Sequence, residues 1–356
     1  MKQKPDIKSM NLAELTEFVT EAGQKPFRAK QLYQWMHQKM SVSIDEMTNL
    51  SAAFWESLKE EATYTVLKQV DVQISKRDGT RKYLFLLEDG NMVESVFMRY
   101  KTGNSVCISS QAGCRMGCRF CASALNGLAR NLLPSEMLEQ IYRISADTKE
   151  RISNVVVMGT GEPLDNYDNL LRFIELLCNE DGLHISQRNV TVSTCGIVPK
   201  ILELAHKKLQ ITLAISLHAA DQQKRKELMP IANRYGLEDL ITACQFYFDM
   251  TGRRITFEHS LLAGVNDSDG DADLLAKLLL GMNCHVNLIP VNPVKESGFG
   301  SPDKESVADF RRRLEQRGIQ VTVRRELGGD IDAACGQLRK KYMEKGYIFE
   351  TNLANL

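Results

Sequence analysis

The stretch SVCISSQAGCRMGCRFC, residues 105–121, ends in three cysteines that follow a short β-rich run. Cys114, Cys118 and Cys121 are separated by three and then by two residues. The apolar, β-branched run before them predicts a buried strand, so the cysteines lie in the loop beyond its carboxyl end. In a βα-barrel, the loops at that end of the strands carry the active site. The pattern of the remaining chain indicates whether such a barrel is present.

Short β-rich runs alternate with helical patterns beyond the cysteine loop. Helical stretches such as PSEMLEQIYRISAD (134–147) separate these runs. The runs are VVVM (155–158), VTVST (190–194), ITLAISLHA (211–219), RITFEHSLL (254–262), HVNLIPV (285–291) and VTVRRE (321–326). Repeated βα units predict an α/β fold with a mostly parallel sheet, either open or closed into a barrel.

Polar residues and turn residues recur just after these strands, which is hard to explain by packing alone. Because the active site of a βα-barrel lies at the carboxyl ends of its strands, we expect them to share one face. The residues concerned are Gly161, Glu162, Ser193, Ser216, Leu217, His218 and Asn292.

Four segments of the chain differ in pattern. Residues 1–70 are polar and have helical periodicity, in LAELTEFVTEAG and again in FRAKQLYQWMHQKM. Residues 71–104 alternate and contain glycine turns, which predicts a meander of strands. Residues 105–345 carry the βα units, and residues 346–356 form a tail. The sequence therefore predicts a helical amino-terminal domain, a β extension and a βα domain.

The composition limits the class of protein. A chain of 356 residues is long enough for about two domains, and 43% apolar residues is ordinary for a globular protein. No run of about 18 apolar residues and no signal segment occurs, so we expect a cytoplasmic protein that does not span a membrane. Nine cysteines in a reducing compartment are not a disulfide framework. The 45 basic and 45 acidic residues balance, which gives no signal for nucleic acid binding.

Three clustered cysteines without a fourth restrict the metal chemistry. A structural zinc site uses four ligands, often as two CxxC pairs, and the sequence has no second pair. The bacterial ferredoxin spacing CxxCxxCxxxC-Pro is also absent. Two interpretations remain. One is chance clustering, and the other is a [4Fe–4S] cluster whose fourth iron is open to a ligand from outside the protein.

The cysteine motif and its surroundings resemble a known family. CxxxCxxC with an aromatic residue, Phe120, before the last cysteine is the signature of radical S-adenosylmethionine (SAM) enzymes. Longer stretches resemble, in order, those of the RlmN/Cfr family of RNA adenine methyltransferases: VCISSQAGCRMGCRFCAS, MGTGEPLDN, VTVSTCGIVP, AISLHA, NLIPVNP and GGDIDAACGQLR. KPFRAKQLYQWM resembles the family's accessory domain, for which RNA binding is expected. The resemblance covers nearly the whole chain and implies a partial (β/α)6 barrel of the TIM type.

The resemblance implies the cofactors and the residues that bind them. Cys114, Cys118 and Cys121 would hold a [4Fe–4S] cluster. The open iron would take the amino and carboxylate groups of SAM, and two SAM molecules would be used in each turnover. Gly161 and Glu162 would contact the SAM amino group. Further SAM contacts would come from Ser193, Ser216, Leu217, His218 and Asn292.

The resemblance also implies how a methyl group reaches a ring carbon that is not nucleophilic. One SAM methylates the sulfur of Cys335, and a radical derived from the second SAM then takes a hydrogen atom from that methyl group. The carbon adds to adenine and forms a covalent protein–RNA adduct. Cys107 attacks the Cys335 sulfur, which releases the product and leaves a disulfide. Glu94 matches the family's proton acceptor.

These residues also have structural interpretations. A single cysteine such as Cys335 is more often buried and inert, and Cys107 lies on an apolar strand. A glutamate in an alternating strand, as Glu94 is, usually faces water. His218 would then be a core histidine whose hydrogen bonds are satisfied. The remaining cysteines are interpreted as packing residues: Cys178, Cys195, Cys244 and Cys284.

The resemblance implies RNA as the substrate, namely 23S rRNA and also tRNA. RlmN-type enzymes methylate carbon 2 of adenosine, and Cfr-type enzymes methylate carbon 8 of the same rRNA adenosine and confer antibiotic resistance. Ala112, Pro163 and Pro290 favour the RlmN type. A flavodoxin-type one-electron donor and a monomer are expected. An electron-transfer protein without RNA turnover, and a radical SAM enzyme with another substrate, are the alternatives.

Basic clusters offer RNA-binding surfaces, although each could equally be a solvated helix face. One cluster combines cations with aromatic rings, as single-stranded RNA would require. The clusters are Lys25, Arg28 and Lys30 beside Phe27 and Tyr33, then Arg311–Arg313, Arg324–Arg325 and Arg339–Lys341.

Overall fold

The computed structural model describes residues 4–291, 298–331, 338–339 and 342. Within them, no helix is both long enough and apolar enough to cross a bilayer. The helices are α1 (Leu12–Glu21), α2 (Phe27–His37), α3 (Ala52–Glu61), α4 (Pro134–Thr148), α5 (Tyr167–Cys178), α6 (Val198–His206), α7 (Gln222–Leu228), α8 (Leu237–Thr251), α9 (Asp269–Leu278) and α10 (Lys304–Gln316).

The strands form one large sheet and one small ribbon. They are β1 (Lys68–Ile74), β2 (Arg81–Leu86), β3 (Met92–Tyr100), β4 (Gly103–Ile108), β5 (Gln111–Gly113), β6 (Leu128–Asn131), β7 (Ile152–Val157), β8 (Val190–Thr194), β9 (Thr212–Ser216), β10 (Ile255–Leu261), β11 (Cys284–Pro290) and β12 (Gln320–Val323). The large sheet has the order β1-β2-β3-β4-β7-β8-β9-β10-β11-β12.

The large sheet changes direction at β4. From β4 to β12 every neighbouring pair of strands is parallel, with helices in the connections. From β1 to β4 the pairs are antiparallel. The predicted α/β fold with a mostly parallel sheet and helical amino-terminal region is therefore confirmed. The predicted meander is present as β1, β2 and β3, and the pairing of β3 with β4 makes it an extension of the large sheet.

Alternation along the parallel strands divides the sheet into two faces. On β7, Val155 and Val157 are fully buried in the main core, and Val156 lies on the opposite face. The helices cover the first face. In α4, for example, Met137 and Ile141 are buried in the same core, while Glu136 caps the helix by accepting the N–H of Leu133. The second face is left for the interior of the partial barrel.

The amino-terminal helices are joined to α4 by buried polar contacts. Lys8 Nζ lies 2.8 Å from Glu139 Oε1, and both side chains are fully buried. His37 Nδ1 lies 2.7 Å from the Tyr142 hydroxyl. Buried polar groups need matched partners, so these contacts fix how the first helices sit on the βα region. The domain boundaries at residues 70, 104 and 345 stay a prediction.

Candidate active site

Polar side chains from successive strands line the interior face of the sheet. Ser193 Oγ lies 3.4 Å from Ser216 Oγ and 3.5 Å from Glu258 Oε2. The strand register places Glu258 beside Ser216 on one side and beside Asn287 on the other. Thr322 Oγ1 then donates to Asn287 Oδ1 at 3.2 Å. The interior therefore carries a row of hydrogen-bonding groups suited to a polar ligand rather than to close packing.

Glu258 is a site residue that the sequence analysis missed. It is 4% exposed and stands in the middle of β10, where every residue except Thr256 is buried. Burying a carboxylate in a parallel strand costs free energy unless the carboxylate has hydrogen-bonding partners or a function. A glutamate inside this strand pattern was therefore the signal that could have identified Glu258 from the sequence. The backbone carbonyl of Glu258 also accepts the N–H groups of Leu217 and His218. It therefore shapes the end of β9 as well.

The cysteine loop is held by the small ribbon. β5 pairs with β6 in an antiparallel manner, and the Cys114 N–H donates to Gly127 O at 2.9 Å. Gly113 has φ of +90°, and a Cβ there would lie 2.1 Å from Gly127 O, so no side chain fits. No pattern in the sequence indicated this ribbon. It closes the loop at its base and leaves its cysteines on the side of the strand ends.

The three predicted cluster ligands share one environment. Burial raises the pKa of Cys114 to about 12, and nearby Cys121 acts in the same direction. Burial also raises the pKa of Cys118, again with contributions from Cys121 and Cys114. The thiols thus lie close enough to feel each other's charge. Cys114 and Cys118 would be neutral thiols without a metal, and would become thiolates when a metal binds them.

The arrangement of the thiols suits a cluster better than a single metal ion. Among the residues that the structure describes, no three His, Cys, Asp or Glu side chains converge as around one ion. An iron–sulfur cluster makes a different demand, since each thiolate binds a different iron. Three cysteine sulfurs on one loop are one ligand short of a structural zinc site, and they match a cluster that keeps one iron open.

The loop after β7 packs directly against the small ribbon formed by β5 and β6. Gly161 has φ of +113°, and a Cβ there would lie 2.8 Å from Gln111 N. The Glu162 N–H donates to Gln111 Oε1 at 2.8 Å. The Glu162 carboxylate accepts the N–H groups of Leu164 at 3.0 Å and of Cys195 at 2.7 Å. Burial raises the pKa of Glu162, which these hydrogen bonds oppose. Glu162 thereby joins the ends of β7 and β8.

His218 lies at the end of β9 in a strained conformation. Its φ is +57°, which a residue with a side chain rarely adopts. Its Nδ1 accepts the N–H of Ser260 at 3.0 Å, and its ring meets the edge of Phe120 with 4.8 Å between the ring centres. Burial lowers the pKa of His218 to about 3, so the ring is neutral. His218 is a hydrogen-bonded buried histidine, and it also touches the cysteine loop.

Cys107 and Glu94 lie on the interior face of neighbouring strands. Cys107 is paired with Val96 across β3 and β4, and Glu94 is two residues from Val96. Glu94 Oε2 lies 2.6 Å from Lys82 Nζ, and both side chains are buried. Glu94 Oε1 accepts the N–H of Arg339 at 2.6 Å. A glutamate with a purely structural role was expected to face water at this position. Glu94 is instead buried and ion-paired.

Two of the predicted site residues, Cys335 and Asn292, lie outside the residues that the structure describes. The flanks of Cys335 are described. Gly328 N–H donates to Asp78 Oδ2 at 2.9 Å, and Asp330 Oδ1 accepts the Ser75 hydroxyl at 2.6 Å. Beyond Cys335, the Arg339 N–H binds Glu94. The chain on both sides of Cys335 is therefore attached to the β extension.

The basic clusters differ in how available they are to RNA. Phe27 is 53% exposed, whereas Tyr33 is fully buried and its ring is not available for stacking. Arg311 pairs with Glu315 and Arg312 with Asp309 on the same exposed helix. The second cluster is therefore largely a solvated helix face.

A groove of about 540 Å³ lies at the ends of β7 and β8. Two aromatic rings with cations line it. Lys200 Nζ lies 4.6 Å from the Tyr167 ring centre, and the Arg234 guanidinium lies 5.3 Å from that of Tyr235. Asn169 is among the amide side chains that also line it. Aromatic, cationic and amide groups together are suited to a nucleotide.

Comparisons with known proteins agree with this geometry. The family model of the ribosomal RNA large subunit methyltransferase N-terminal domain matches residues 6–63, and that of the radical SAM superfamily matches residues 108–275. The probable dual-specificity RNA methyltransferase RlmN of Lachnospira eligens is 63% identical over 95% of this chain and 97% of its own length. The protein of the same name from Lachnoclostridium phytofermentans is 53% identical over 99% of both chains.

A solved structure is similar throughout. The crystal structure of a radical SAM methyltransferase from Sphaerobacter thermophilus has a TM-score of 0.90 and 42% sequence identity. The match covers 94% of this chain and 98% of that one. Fold and sequence therefore agree over almost the full length.

Proposed function

The chain belongs to the RlmN family of radical SAM RNA methyltransferases, and from this premise we propose that it methylates carbon 2 of adenosine. The proposed sites are an adenosine in the peptidyl-transferase centre of 23S rRNA and the adenosine 3′ to the anticodon in tRNAs. The related proteins are named as dual-specificity RNA methyltransferases, which supports two classes of RNA. Their names do not favour the carbon-8 alternative or an electron-transfer protein.

One observation carries the proposed chemistry. The Glu94–Arg339 hydrogen bond brings the chain four residues beyond Cys335 onto β3, which is paired with the strand that bears Cys107. Leu338, which is 1% exposed, packs against Leu84 and Met92. The chain just beyond Cys335 is thereby attached to the part of the sheet that carries Cys107, which supports the proposed disulfide of the resolving step.

Members of this superfamily use a [4Fe–4S] cluster and SAM, and the residues present fit both. Cys114, Cys118 and Cys121 would hold the cluster, leaving one iron for SAM. When bound, the cluster supplies the electron that generates the radical. Gly161 and Glu162 lie between the β5–β6 ribbon and the end of β8, where SAM would bind. Ser193, Ser216, Leu217 and His218 form the neighbouring strand ends, and Asn292 belongs to the proposal on sequence grounds alone.

The roles of the chain's own residues follow from their positions. Cys335 would carry the methyl group on its sulfur and then the covalent bond to RNA. Glu94 would accept the proton lost from the adenine carbon. The Cys107 thiolate would attack the Cys335 sulfur, forming the S–S bond and breaking the bond between that sulfur and the new methyl carbon. A proton then completes the methyl group of the product.

We further propose a cytoplasmic monomer that receives its electron from a flavodoxin-type reductant. The residues that favour carbon 2 are consistent with the local structure. Ala112 is fully buried in the ribbon strand β5, and Pro163 starts the helical turn at Pro163–Asn166. Pro290 ends β11.

The test is mass spectrometry of nucleosides from 23S rRNA and tRNA in cells with and without this gene. We expect 2-methyladenosine in both RNA pools only when the gene is present. If 8-methyladenosine appears instead, the carbon assignment is wrong. If neither appears in either pool, the RNA proposal fails.

Three variants test the roles of the cysteines. Cys335→Ala should give no product and no adduct. Cys107→Ala should give protein that remains covalently bound to RNA, because nothing resolves the adduct. Cys244→Ala, at a buried position on α8, is the control and should retain methylation. Free protein without RNA in the Cys107 variant would contradict the resolving role.

A further inference from the structure

We propose that Arg225 is the counter-charge of the iron–sulfur cluster and raises its reduction potential. The inference rests on the proposed function only in that Cys114, Cys118 and Cys121 hold the cluster. It concerns the electron-transfer step and does not depend on which RNA is methylated.

Arg225 is a buried cation that forms no ion pair with a carboxylate of the described residues. It lies on α7 and is 1% exposed. Its Nη2 donates to Cys195 O at 2.8 Å and to Ser216 O at 3.4 Å, and its Nε donates to Leu217 O at 3.2 Å. All of these acceptors are neutral backbone carbonyls. In the described part of the chain, no carboxylate forms an ion pair with it.

The other fully buried cations of the described chain are compensated in the usual way. Lys8 pairs with Glu139 at 2.8 Å, and Lys82 pairs with Glu94 at 2.6 Å. A buried charge without a partner is strongly destabilising, because hydrogen bonds to neutral groups recover only part of its hydration. Arg225 therefore requires a negative charge that no side chain of the described residues supplies through an ion pair.

The position of Arg225 indicates where this charge lies. The helix that carries it contacts the cysteine loop, since the Arg119 N–H donates to Leu228 O at 3.0 Å. Leu228 belongs to the same packed cluster of side chains as Cys118 and Cys195. The cluster that Cys118 would help to hold is therefore a source of negative charge beside the helix that carries Arg225.

The cluster has the charge that Arg225 lacks. An oxidised [4Fe–4S] core with three thiolate ligands carries a net negative charge, and reduction adds another electron to it. A fixed cation nearby stabilises the reduced form more than the oxidised form. Net charge around a cluster is among the factors that set its potential. Arg225 should therefore make the cluster easier to reduce.

A structural role is the competing explanation. The three carbonyls that Arg225 binds come from the ends of β8 and β9, so it could simply join those strands. Two substitutions separate the effect of the positive charge of Arg225 from the effect of its side-chain shape. Arg225→Lys keeps the charge but loses the fork of donors, and Arg225→Gln keeps an amide donor without the charge.

The experiment is a redox titration of the anaerobically reconstituted full-length protein, with the reduced cluster followed by electron paramagnetic resonance. At a fixed applied potential, we expect Arg225→Gln to lower the ratio of reduced to oxidised cluster at least tenfold. For a one-electron couple this corresponds to about 59 mV. Arg225→Lys should stay within a factor of a few of the unmodified protein.

The outcomes separate the two explanations. Equal potentials in the glutamine variant and the unmodified protein, at equal iron and sulfide content, would overturn the proposal. Equal losses in both variants would also overturn it, because charge would then not be the cause. If the lysine variant takes up iron and the glutamine variant does not, the positive charge at position 225 is needed for the cluster to assemble. If neither does, Arg225 is structural.

Iron content of the unmodified protein distinguishes this inference from the proposed function. Absence of a cluster there would remove the premise that the three cysteines bind it. A shifted potential in a protein that methylates no RNA would leave the inference intact and overturn the substrate assignment.

Discussion

The carboxylate of Glu94 accepts the backbone N–H of Arg339 at 2.6 Å, although 245 residues separate the two in the sequence. The other oxygen of Glu94 pairs with Lys82 at 2.6 Å. Glu94 thus joins the β extension to the chain just beyond Cys335. Any proton-accepting role must operate within this arrangement, which makes Glu94 a positioning residue at the same time.

Substitutions at Glu94 and Lys82 separate the two roles. Glu94→Gln alone removes the carboxylate that pairs with the buried Lys82 ammonium, and we expect it to lower the free energy of unfolding by about 3–5 kcal/mol. Combining it with Lys82→Met should recover most of this loss, since the amide oxygen can still accept the Arg339 N–H. Urea unfolding measures both variants.

Activity of the same double variant then decides the chemical role. We expect it to fold and to form S-methylcysteine at Cys335, but not to form 2-methyladenosine, because an amide does not accept the adenine proton. Restored methylation would assign Glu94 to positioning alone.

The other flank of Cys335 is anchored by Asp330, whose carboxylate accepts the Ser75 hydroxyl at 2.6 Å and the Lys76 N–H at 2.8 Å. We expect Asp330→Ala to slow formation of the Cys107–Cys335 disulfide several-fold in single-turnover assays. Asp330→Asn keeps an acceptor oxygen and should be closer to the unmodified protein. Asp309→Ala, on the exposed face of α10, is the control. A rate unchanged by Asp330→Ala would show that this anchor is dispensable.

The buried Lys8–Glu139 pair should contribute strongly to the stability of the whole chain. Removing the ammonium by Lys8→Met leaves Glu139 with Arg143, at 3.1 Å, as its one ion-pair partner in the described part of the chain. We expect a loss of about 3 kcal/mol or more in the free energy of unfolding, because a buried carboxylate loses its closest cation. Lys59→Met breaks an exposed pair with Asp45 and should change stability little. Similar losses in both variants would contradict the importance of burial.

His37 should make stability depend on pH. Burial lowers its pKa to about 3, with Lys8 contributing in the same direction, and its ring lies against Tyr33 and the Tyr142 hydroxyl. The unfolded state therefore binds a proton more readily than the folded state does. Stability is highest above the unfolded pKa of about 6.5 and falls as the pH drops towards 3.

From pH 7 to pH 5 this group should lower the free energy of unfolding by about 2 kcal/mol. His37→Gln should remove that part of the difference, and His206→Gln, at the exposed end of α6, controls for the substitution itself. An identical pH dependence in His37→Gln and the unmodified protein would exclude His37 as its source.

Much of the fold was predictable because the strands are short, apolar and regularly followed by helices. The run VVVM predicted β7, and VTVST predicted β8 with its bounds at Val190–Thr194. The β5–β6 ribbon was not predicted, since Gln111–Gly113 is too short to have a pattern of its own. Its pairing depends on Gly113, whose backbone approaches Gly127 across the loop.

The sequence supports a site prediction where the chemistry depends on residue types at a fixed spacing, as with the three cysteines, whose role as ligands stays a prediction. Partners that are distant in the sequence were not predictable. Nothing in the pattern around Lys82 indicates that it pairs with Glu94, and nothing around Arg225 indicates that it is buried. The net charge of zero also gave no sign of an RNA-related function, because acidic residues elsewhere in the chain balance the basic ones.

The groove at the ends of β7 and β8 gives a last prediction, about how RNA is held. Lys200 and Arg234 lie over the rings of Tyr167 and Tyr235, and both cations are exposed enough to reach a phosphate. If each cation neutralises one phosphate, the Lys200→Gln/Arg234→Gln variant should bind RNA more weakly. The slope of log K against log salt should then become shallower by about 0.7 for each phosphate that is no longer neutralised, or by about 1.4 for both.

The matched control is Arg311→Gln/Arg312→Gln, which removes two cations from the exposed face of α10, outside the groove. It should leave both the affinity and the salt slope unchanged. Filter binding of a single-stranded RNA across a salt series measures both variants. A phosphate interacts strongly only with cations within about a Debye length, so a cation that contacts RNA should matter more than a distant one. If the salt slope changed equally in the two double variants, RNA binding would depend on the overall charge of the protein and not on the groove.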